Sequence, residues 1–290
     1  DAKEFGKKHK CKERSIEEKE SYKWIESYKE TIEVQSKSKK TLLVNIGDRE
    51  ADIYDLLKLA VENKNNPELL IRASHDRSIN LEQKHLWDYL YGEKVSGVQQ
   101  IQVPRKANNP ARKADLTIRF QEVELKPPQN KKEAGNIKIW AILACEENVP
   151  DGVKSIEWML LTTIPVKTFE EAVEKLGWYS KRWGIEIYHK TLKSGCKIED
   201  RQIGKASRIE SCLAIDMIIA WRIYYLTKVG RETPDISCTV FFEEAEWKAL
   251  VAYKTRNPIP PSSTPSLREI IFMVASLGGF LAWVPGYKKR

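Results

Sequence analysis

The chain has 290 residues, of which 31% are charged and 41% are hydrophobic, and its formal net charge is +8. This composition is typical of a soluble globular protein with one large domain or two ordinary ones, and it excludes a largely disordered chain. No apolar run approaches the length of a membrane span, and no signal-peptide pattern opens the sequence. The basic balance, with a pI of about 9.0, suits a polyanionic partner.

The five cysteines are scattered and show no metal-ligand spacing, which indicates free thiols in a reducing cytosol. We therefore expect a cytoplasmic protein that does not contact a membrane. Because the first residue is Asp rather than Met, we also expect the chain to be a piece of a longer or processed reading frame.

The first 74 residues predict a charged lead-in followed by a strand–helix–strand unit. Residues 1–40 are dense in Lys and Glu, and from Ser15 onward a solvated charged helix is the favoured interpretation. The apolar run TLLVNI (41–46) predicts a strand, GDREAD (47–52) interrupts it, and a helical period follows. ELLIRAS (68–74) predicts a second strand, so the two strands are expected to be parallel.

From residue 95 to about 165 the pattern changes to strands separated by Pro, Asn and Gly turns. The predicted strands are VQQIQVP, ADLTIRFQEVEL, IKIWAILACEE and EWMLLTTIPV. Their spacing predicts an antiparallel, β-rich block.

The rest of the chain predicts helices. One helix covers 168–193, with Thr168 as its N-cap and Glu171 in the capping-box position. A long helix over 205–230 is expected to end at Gly230. The segment 257–266 is typical of a linker, and the apolar sequence SLREIIFMVASLGGFLAW predicts a last helix.

Within the predicted helix over 168–193, four polar side chains share one narrow stripe. At about 100° per residue, Arg182, Glu186 and Lys193 all fall within about 60° of Tyr179. Ile185, Tyr188 and Leu192 lie on the opposite side and could face a core. The alternative is an ordinary solvated helix with an Arg182–Glu186 ion pair.

A second candidate carboxylate, Asp48, lies where the first predicted strand ends and the next helix begins. Ligands of open α/β sheets bind at that edge, although a lone Asp there is more often only an N-cap. Together, Asp48 and Glu186 offer hard oxygen ligands for Mg²⁺ or Mn²⁺ acting on a phosphodiester. Arg182 and Lys193 would then hold the flanking phosphates.

The spacing Tyr179-x2-Arg182-x3-Glu186-x6-Lys193 resembles the Y-R-E-K signature of the IS-four (Tn-five-like) group of bacterial DDE transposases. GDREAD around Asp48 resembles the second-Asp segment of the same group. EWMLLTTIPV and GCKIEDRQ resemble two further segments, so the resemblance runs from about residue 20 to about 283.

The resemblance implies an α/β fold with an RNase-H-like catalytic core over 41–94 and 151–229. Residues 95–150 would be a β-rich insertion in that core, after the charged lead-in over 1–40, and 230–290 a C-terminal helical dimerisation region. The implied activity is cut-and-paste DNA transposition. It consists of metal-dependent hydrolysis at the transposon ends followed by strand transfer into double-stranded target DNA, within a homodimeric paired-end complex.

The resemblance also assigns roles to single residues. Asp48 and Glu186 would be the second and third members of a metal-binding D-D-E triad, and Tyr179, Arg182 and Lys193 would contact the transposon end. Three further DNA contacts are implied, each with a plainer alternative. These are Trp158 (or a core Trp), Arg72 (or an exposed Arg) and Lys190 (or a solvated Lys).

The triad's first Asp has no counterpart on an apolar strand before Asp48, since Asp1 is the sole earlier aspartate. We therefore expect an incomplete core that does not catalyse transposition by itself. Three interpretations remain open: part of a working transposase, a non-catalytic remnant that binds DNA or dimerises and could inhibit full-length relatives, and an RNase-H-like nuclease unrelated to transposition.

Overall fold

A computed structural model describes residues 15–63, 65–81, 84–103, 110–259 and 261–279. The chain divides into two compact units, Asp1–Arg182 and Trp183–Arg290. Some of the sequence predictions lie outside the described residues. These are the place of Asp1, the thiol of Cys11, the first part of the lead-in (1–14) and the last residues of the final helix (280–283).

The described part of the first unit contains four α-helices and six strands. In chain order they are α1 (Tyr22–Lys37), β1 (Val44–Gly47), α2 (Tyr54–Glu62), β2 (Glu68–Arg72), α3 (Leu86–Gly92), β3 (Gly97–Val103), β4 (Arg112–Leu125), β5 (Ile137–Glu146), β6 (Glu157–Thr162) and α4 (Phe169–Lys181).

All six strands form one mixed sheet in the order β1-β2-β6-β5-β4-β3. β1 and β2 are parallel, which confirms the predicted strand–helix–strand unit. The other neighbours are antiparallel, as predicted for the β-rich block. The predicted α/β class is therefore confirmed, and the β-rich block continues the sheet that the parallel pair begins.

Helices cover both faces of this sheet. Leu69 and Ile71 of β2 point to a core shared with α1, α2 and α3, whereas Leu70 points to a second core under α4. Since neighbouring residues of a strand face opposite sides, a strand buried on both faces must be apolar throughout. This explains the continuous apolar run in ELLIRAS.

Helix α1 is not the solvated helix that its charge content suggested. Ile25 and Tyr28 are buried in the first core, and the Tyr28 hydroxyl donates a hydrogen bond to the carbonyl of Pro67. Two apolar residues one turn apart are enough to attach the helix to the sheet, while its Lys and Glu side chains remain in water.

The second unit is helical in its described part. Its elements are α5 (Trp183–Lys190), a π-helical turn (Thr191–Gly195), α6 (Ala206–Glu232), α7 (Glu244–Thr255) and α8 (Leu267–Leu277). A small core joins the last two helices through Trp247, Val251, Ile270 and Met273, and it includes Cys238. No helix of the described residues has the length and apolar character needed to cross a membrane.

The prediction of one continuous helix over 168–193 is wrong, because the segment is divided into two α-helices and a π-helical turn. Thr168 and Glu171 form the predicted capping box of α4, but α4 ends at Lys181 and α5 begins at Trp183. The π-helical turn then carries Lys193, so the angular spacing of a regular helix does not place Lys193 relative to Glu186. Of the three residues expected to face a core, Leu192 is buried, whereas Tyr188 is half-buried and Ile185 is exposed.

Gly230 does not end its helix as predicted; α6 continues through Glu232. A methyl group placed on Gly230 would lie 2.1 Å from Cδ1 of Ile271 on α8. The absence of a side chain at Gly230 therefore allows α6 and α8 to approach closely; the residue is not a left-handed helix cap.

We expect Gly230→Ala to destabilise the second unit by about 1 kcal/mol. Overpacking costs about 1–3 kcal/mol, whereas replacing an interior helix glycine gains about 0.5–1 kcal/mol. Ile271→Val deletes the clashing Cδ1, so the double variant should be more stable than Gly230→Ala alone. Urea denaturation of the four proteins measures this coupling; strictly additive effects of the two changes would contradict the assigned contact.

Candidate functional site in the first unit

Asp48 lies at the carboxyl end of β1, directly after Gly47. A methyl group on Gly47 would come within 2.4 Å of Cβ of Ala51, so only glycine allows the chain to turn this tightly. The Asp48 side chain caps the short 3₁₀ turn that follows, because its Oδ1 accepts a hydrogen bond of 2.9 Å from the N–H of Glu50. Asp48 is thus an N-cap, and its role in a catalytic site stays a prediction.

Capping does not use the whole Asp48 carboxylate. Oδ2 lies 3.9 Å from Nη1 of Arg182, the residue that follows α4, and 38% of the Asp48 side chain is exposed. The structure therefore brings together two of the predicted site residues, Asp48 and Arg182, at the edge of the sheet where ligands of such folds bind.

Arg72 ends the neighbouring strand β2 and is half-buried rather than freely exposed. Its Nη2 donates a hydrogen bond of 2.7 Å to the carbonyl of Glu157. Burial and the charge of Arg49 lower the pKa of Arg72, while the hydroxyl of Tyr179 acts in the opposite direction. Arg49 itself is exposed.

Tyr179 and Trp158 form the apolar floor of this edge. Their rings meet edge-on, with centroids 5.5 Å apart, and Tyr179 is only 6% exposed. The guanidinium of Arg182 lies 5.9 Å from the centroid of the Tyr179 ring. Tyr179 belongs to the second core, so it offers little surface to a ligand, and the half-buried Trp158 packs against that core. The DNA contacts implied for both residues stay predictions.

The other predicted site residues belong to the second unit. Glu186 is half-buried on α5, and Lys190 is exposed at the end of that helix. Lys193 is exposed and forms an ion pair of 3.0 Å with Glu199. The joint placement of Asp48 and Glu186 around a metal ion stays a prediction.

The metal ion that the resemblance implies can be compared with the side chains available to bind it. Among the described residues there is no group of three or more His, Cys, Asp or Glu side chains arranged to hold a metal ion. Asp48 by itself fits one position of such a site, because hard carboxylate oxygens are the ligands that Mg²⁺ prefers and this carboxylate is accessible.

A buried aspartate that the sequence reading missed, Asp52, supports this edge. Its side chain is fully buried and is surrounded by donors. Oδ2 accepts hydrogen bonds from the backbone N–H groups of Ser74 (2.7 Å) and His75 (2.9 Å), and Oδ1 accepts 2.5 and 3.2 Å bonds from Arg77. The network ties the turn after β1 to the loop after β2.

These donors determine the charge state of Asp52. Burial by itself would raise the pKa of the carboxyl, but the positive charge of Arg77 and the hydrogen bonds around it lower that pKa below its ordinary value. GDREAD contains Asp52, yet its role depends on residues more than 20 positions away, so no local pattern could have assigned it.

In the second unit, α6 exposes an unusual amount of apolar surface. Only Asp216 and Ala220 of its 27 residues are buried. Between 215 and 225, seven large apolar side chains are at least 40% exposed: Ile215, Met217, Ile218, Ile219, Trp221, Ile223 and Tyr225. Trp221 and Tyr225 stack with their rings nearly parallel, 5.2 Å apart, and Tyr225 stacks in turn on Phe241. Such a surface marks an interaction site.

Residues 218–286 match the family model described as the transposase Tn5 dimerisation domain. The matched segment begins within the exposed apolar stretch of α6 and includes all of α7 and α8. This match supports a Tn5-like transposase family and a homodimer for the chain.

Proposed function

We propose that the protein is a DNA transposase of the cut-and-paste type, with an RNase-H-like catalytic core and the IS-four group as its closer family. The observation that carries the proposal is Asp48 at the carboxyl end of a parallel strand pair, with Arg182 3.9 Å from its carboxylate. Arg49 follows Asp48 in the chain, and Arg72 follows Ile71, the register partner of Gly47, so two more basic residues lie at the same strand ends as Asp48. That arrangement suits a polyanion such as DNA.

In this proposal Asp48 and Glu186 hold Mg²⁺ or Mn²⁺. When bound, the ion would polarise the phosphorus and stabilise the attacking and leaving oxygens. Arg182 balances the charge of Asp48 and is placed to hold a phosphate oxygen by a charge-assisted hydrogen bond. Lys193 and Lys190 would hold phosphates further along the strand.

With two carboxylates as its only proposed ligands, we infer that the chain by itself binds DNA without cutting it. Two ligands hold a hard divalent cation less firmly than a full set, and they do not complete the geometry for an in-line displacement. A non-catalytic chain that dimerises and occupies DNA could inhibit full-length relatives. The dimerisation-domain match favours this alternative as much as the enzyme.

We further propose that the exposed apolar surface of α6 within the matched segment, residues 218–225, contacts a second copy of the chain. A dimer related by two-fold symmetry presents the same patch from both copies, which suits a patch of stacked aromatic and branched side chains.

Arg182→Ala is expected to weaken DNA binding and to reduce its salt dependence. Each lost phosphate contact lowers the slope of log K against log salt concentration by about 0.9 for duplex DNA. Fluorescence anisotropy with a labelled duplex over a series of salt concentrations measures both effects. Arg72→Ala should also weaken DNA binding and reduce its salt dependence, because Arg72 lies at the same edge of the sheet.

Lys138→Ala is the matched control for that measurement. Lys138 is an exposed cation at the start of β5, and the register of β5, β6 and β2 places it at the opposite end of the sheet from Arg72. Equal losses in Lys138→Ala and Arg182→Ala would contradict the assigned surface. Mg²⁺-dependent cleavage of DNA by the chain alone, abolished in Glu186→Gln, would overturn the non-catalytic proposal but support the enzyme.

A further inference from the structure

A half-buried arginine at the edge of the sheet is held by a backbone carbonyl beyond the end of the β2–β6 ladder. Arg72 occupies the last register position between these strands, where it faces Leu160. The N–H of Ala73 then donates to the carbonyl of Met159, at 2.8 Å, and Nη2 of Arg72 donates to the carbonyl of Glu157, at 2.7 Å. Carbonyls two residues apart point to the same side of an antiparallel strand, so this guanidinium takes the place of the next backbone donor.

Glu157 is the first residue of β6, and its carboxylate is attached to helix α3. Oε1 accepts a hydrogen bond of 2.9 Å from Nε1 of Trp87, and Oε2 accepts one of 2.6 Å from the hydroxyl of Tyr91. Trp87 and Tyr91 are four residues apart and therefore lie on one face of the helix. Hydrogen bonds to an ionised acceptor are about twice as strong as bonds between neutral groups, so the two donors hold Glu157 firmly.

The two donors are themselves well fixed. Leu86 and Leu90 of α3 are 0% exposed in the first core, so the helix cannot shift without breaking that packing. Burial raises the pKa of Tyr91, and its hydrogen bonds to Cys145 and Glu157 raise that pKa further. The hydroxyl therefore stays protonated at neutral pH and remains a donor to the carboxylate.

Fixing one nitrogen of Arg72 determines the direction of the whole group. The five N–H donors of a guanidinium lie in one rigid plane, and they bind a phosphate well only from a suitable direction. Arg72 lies at the strand ends that also carry Asp48, where the proposed DNA contact is. A side chain that is already oriented loses less freedom on binding, so its contact contributes more to affinity.

We propose that Glu157 is a positioning residue: clamped by Trp87 and Tyr91, it orients the guanidinium of Arg72 toward a DNA phosphate. This inference rests on the proposed function, because a DNA phosphate is the assigned ligand of Arg72. Glu157 acts through Arg72 and does not touch the DNA, which its negative charge would repel.

Nitrogen-15 NMR of the Arg72 guanidinium tests the positioning step without DNA. The Arg72 signals are identified by their loss in Arg72→Lys. A hydrogen-bonded guanidinium rotates slowly about its Nε–Cζ bond, so we expect separate Nη signals in the wild type. Glu157→Gln and Tyr91→Phe should each broaden or merge these signals. Merged signals in the wild type, or unchanged separate signals in both variants, would overturn the proposal.

A double-mutant cycle then measures the consequence for DNA binding. Glu157→Gln presents an amide to the two donors of α3, and we expect it to weaken binding of a labelled duplex about threefold, the contribution of roughly one hydrogen bond. In the Arg72→Ala background the same change should have no effect, because the group that it positions is gone. A purely structural role would instead lower stability and leave the two losses additive.

Tyr91→Phe and Tyr89→Phe form a matched pair if Glu157→Gln does not fold. Both remove one hydroxyl from α3, but Tyr91 donates to Glu157, whereas the ring centroid of Tyr89 lies 5.5 Å from Nζ of Lys84. Only Tyr91→Phe should weaken DNA binding; equal losses in the two variants, or none in either, would contradict the assigned role. If the wild type itself binds no DNA, the proposed function and the phosphate ligand fail together, and the NMR signals decide separately whether Glu157 holds Arg72.

Discussion

Asp52→Ala is expected to lower the free energy of unfolding of the first unit by about 3–5 kcal/mol, the usual cost of removing one partner of a buried ion pair. The Arg77 side chain is 9% exposed, so its guanidinium would remain buried without its counter-charge. The N–H groups of Ser74 and His75 would lose their acceptor in the same change. Urea denaturation followed by tryptophan fluorescence measures the loss.

Asp55→Ala is the control for this effect. Asp55 lies three residues further on, also carries an ion pair, with Lys131 at 2.5 Å, and is about one-third exposed. Partly exposed pairs contribute about 1 kcal/mol or less, so Asp55→Ala should be far milder than Asp52→Ala. Equal destabilisation by the two variants would contradict the larger contribution to stability that we assign to the buried Asp52 network.

The pH dependence of stability follows from the lowered pKa of Asp52. The unfolded chain takes up the proton near the ordinary carboxyl pKa of 3.8, whereas the folded protein does so only at lower pH. The contribution of Asp52 is therefore complete above 3.8 and is lost as the pH falls through the folded-state pKa. Below pH 4 the wild type should lose stability more steeply than Asp52→Ala; parallel curves would contradict this.

The features predicted correctly from the sequence are those that local patterns determine. The parallel pair β1 and β2, the four antiparallel strands and the capping box at Thr168 each follow from apolar periodicity or from hydrogen bonds within one turn. The place of Asp48 at a strand end follows for the same reason, since it needs only the end of the apolar run TLLVNI.

The features missed all depend on contacts between distant segments. Tyr28 attaches α1 to the sheet through Pro67, 39 residues away. Gly230 is explained by Ile271 of another helix, not by its own helix end. Asp52 reaches residues 22 to 25 positions along the chain. A single sequence states which residues are present but not which distant segments meet, so such roles need the folded structure.

The segment 168–193, which carries Tyr179 and Glu186, also depends on contacts between distant segments. Regular helical geometry over 168–193 predicts that Tyr179 and Glu186 share one stripe, but the chain has two α-helices and a π-helical turn there. The position of Tyr179 is determined by packing in the second core, where its ring contacts that of Trp158. Packing thus determines where Tyr179 lies, and the DNA contact that the resemblance assigns to it stays a prediction.

Trp221→Glu is expected to weaken the homodimer at least 30-fold. Trp221 is 54% exposed, and its ring is already ordered by stacking on Tyr225, so little side-chain freedom would be lost on association. Buried tryptophans at interface centres contribute about 2 kcal/mol or more, which corresponds to a factor of about 30 in the dissociation constant. A two-fold dimer buries two copies of the changed residue, so the loss counts twice.

Sedimentation velocity over a concentration series measures the dissociation constant, and Trp183→Glu provides the matched control. Trp183 is 60% exposed but lies on α5, outside the matched segment 218–286. If the apolar surface of α6 is the dimer contact, only the Trp221 variant dissociates, because the new carboxylate must be buried there without a partner. If both variants stay dimeric, the dimer contact lies elsewhere in the matched segment, and the exposed surface of α6 then requires a different occupant.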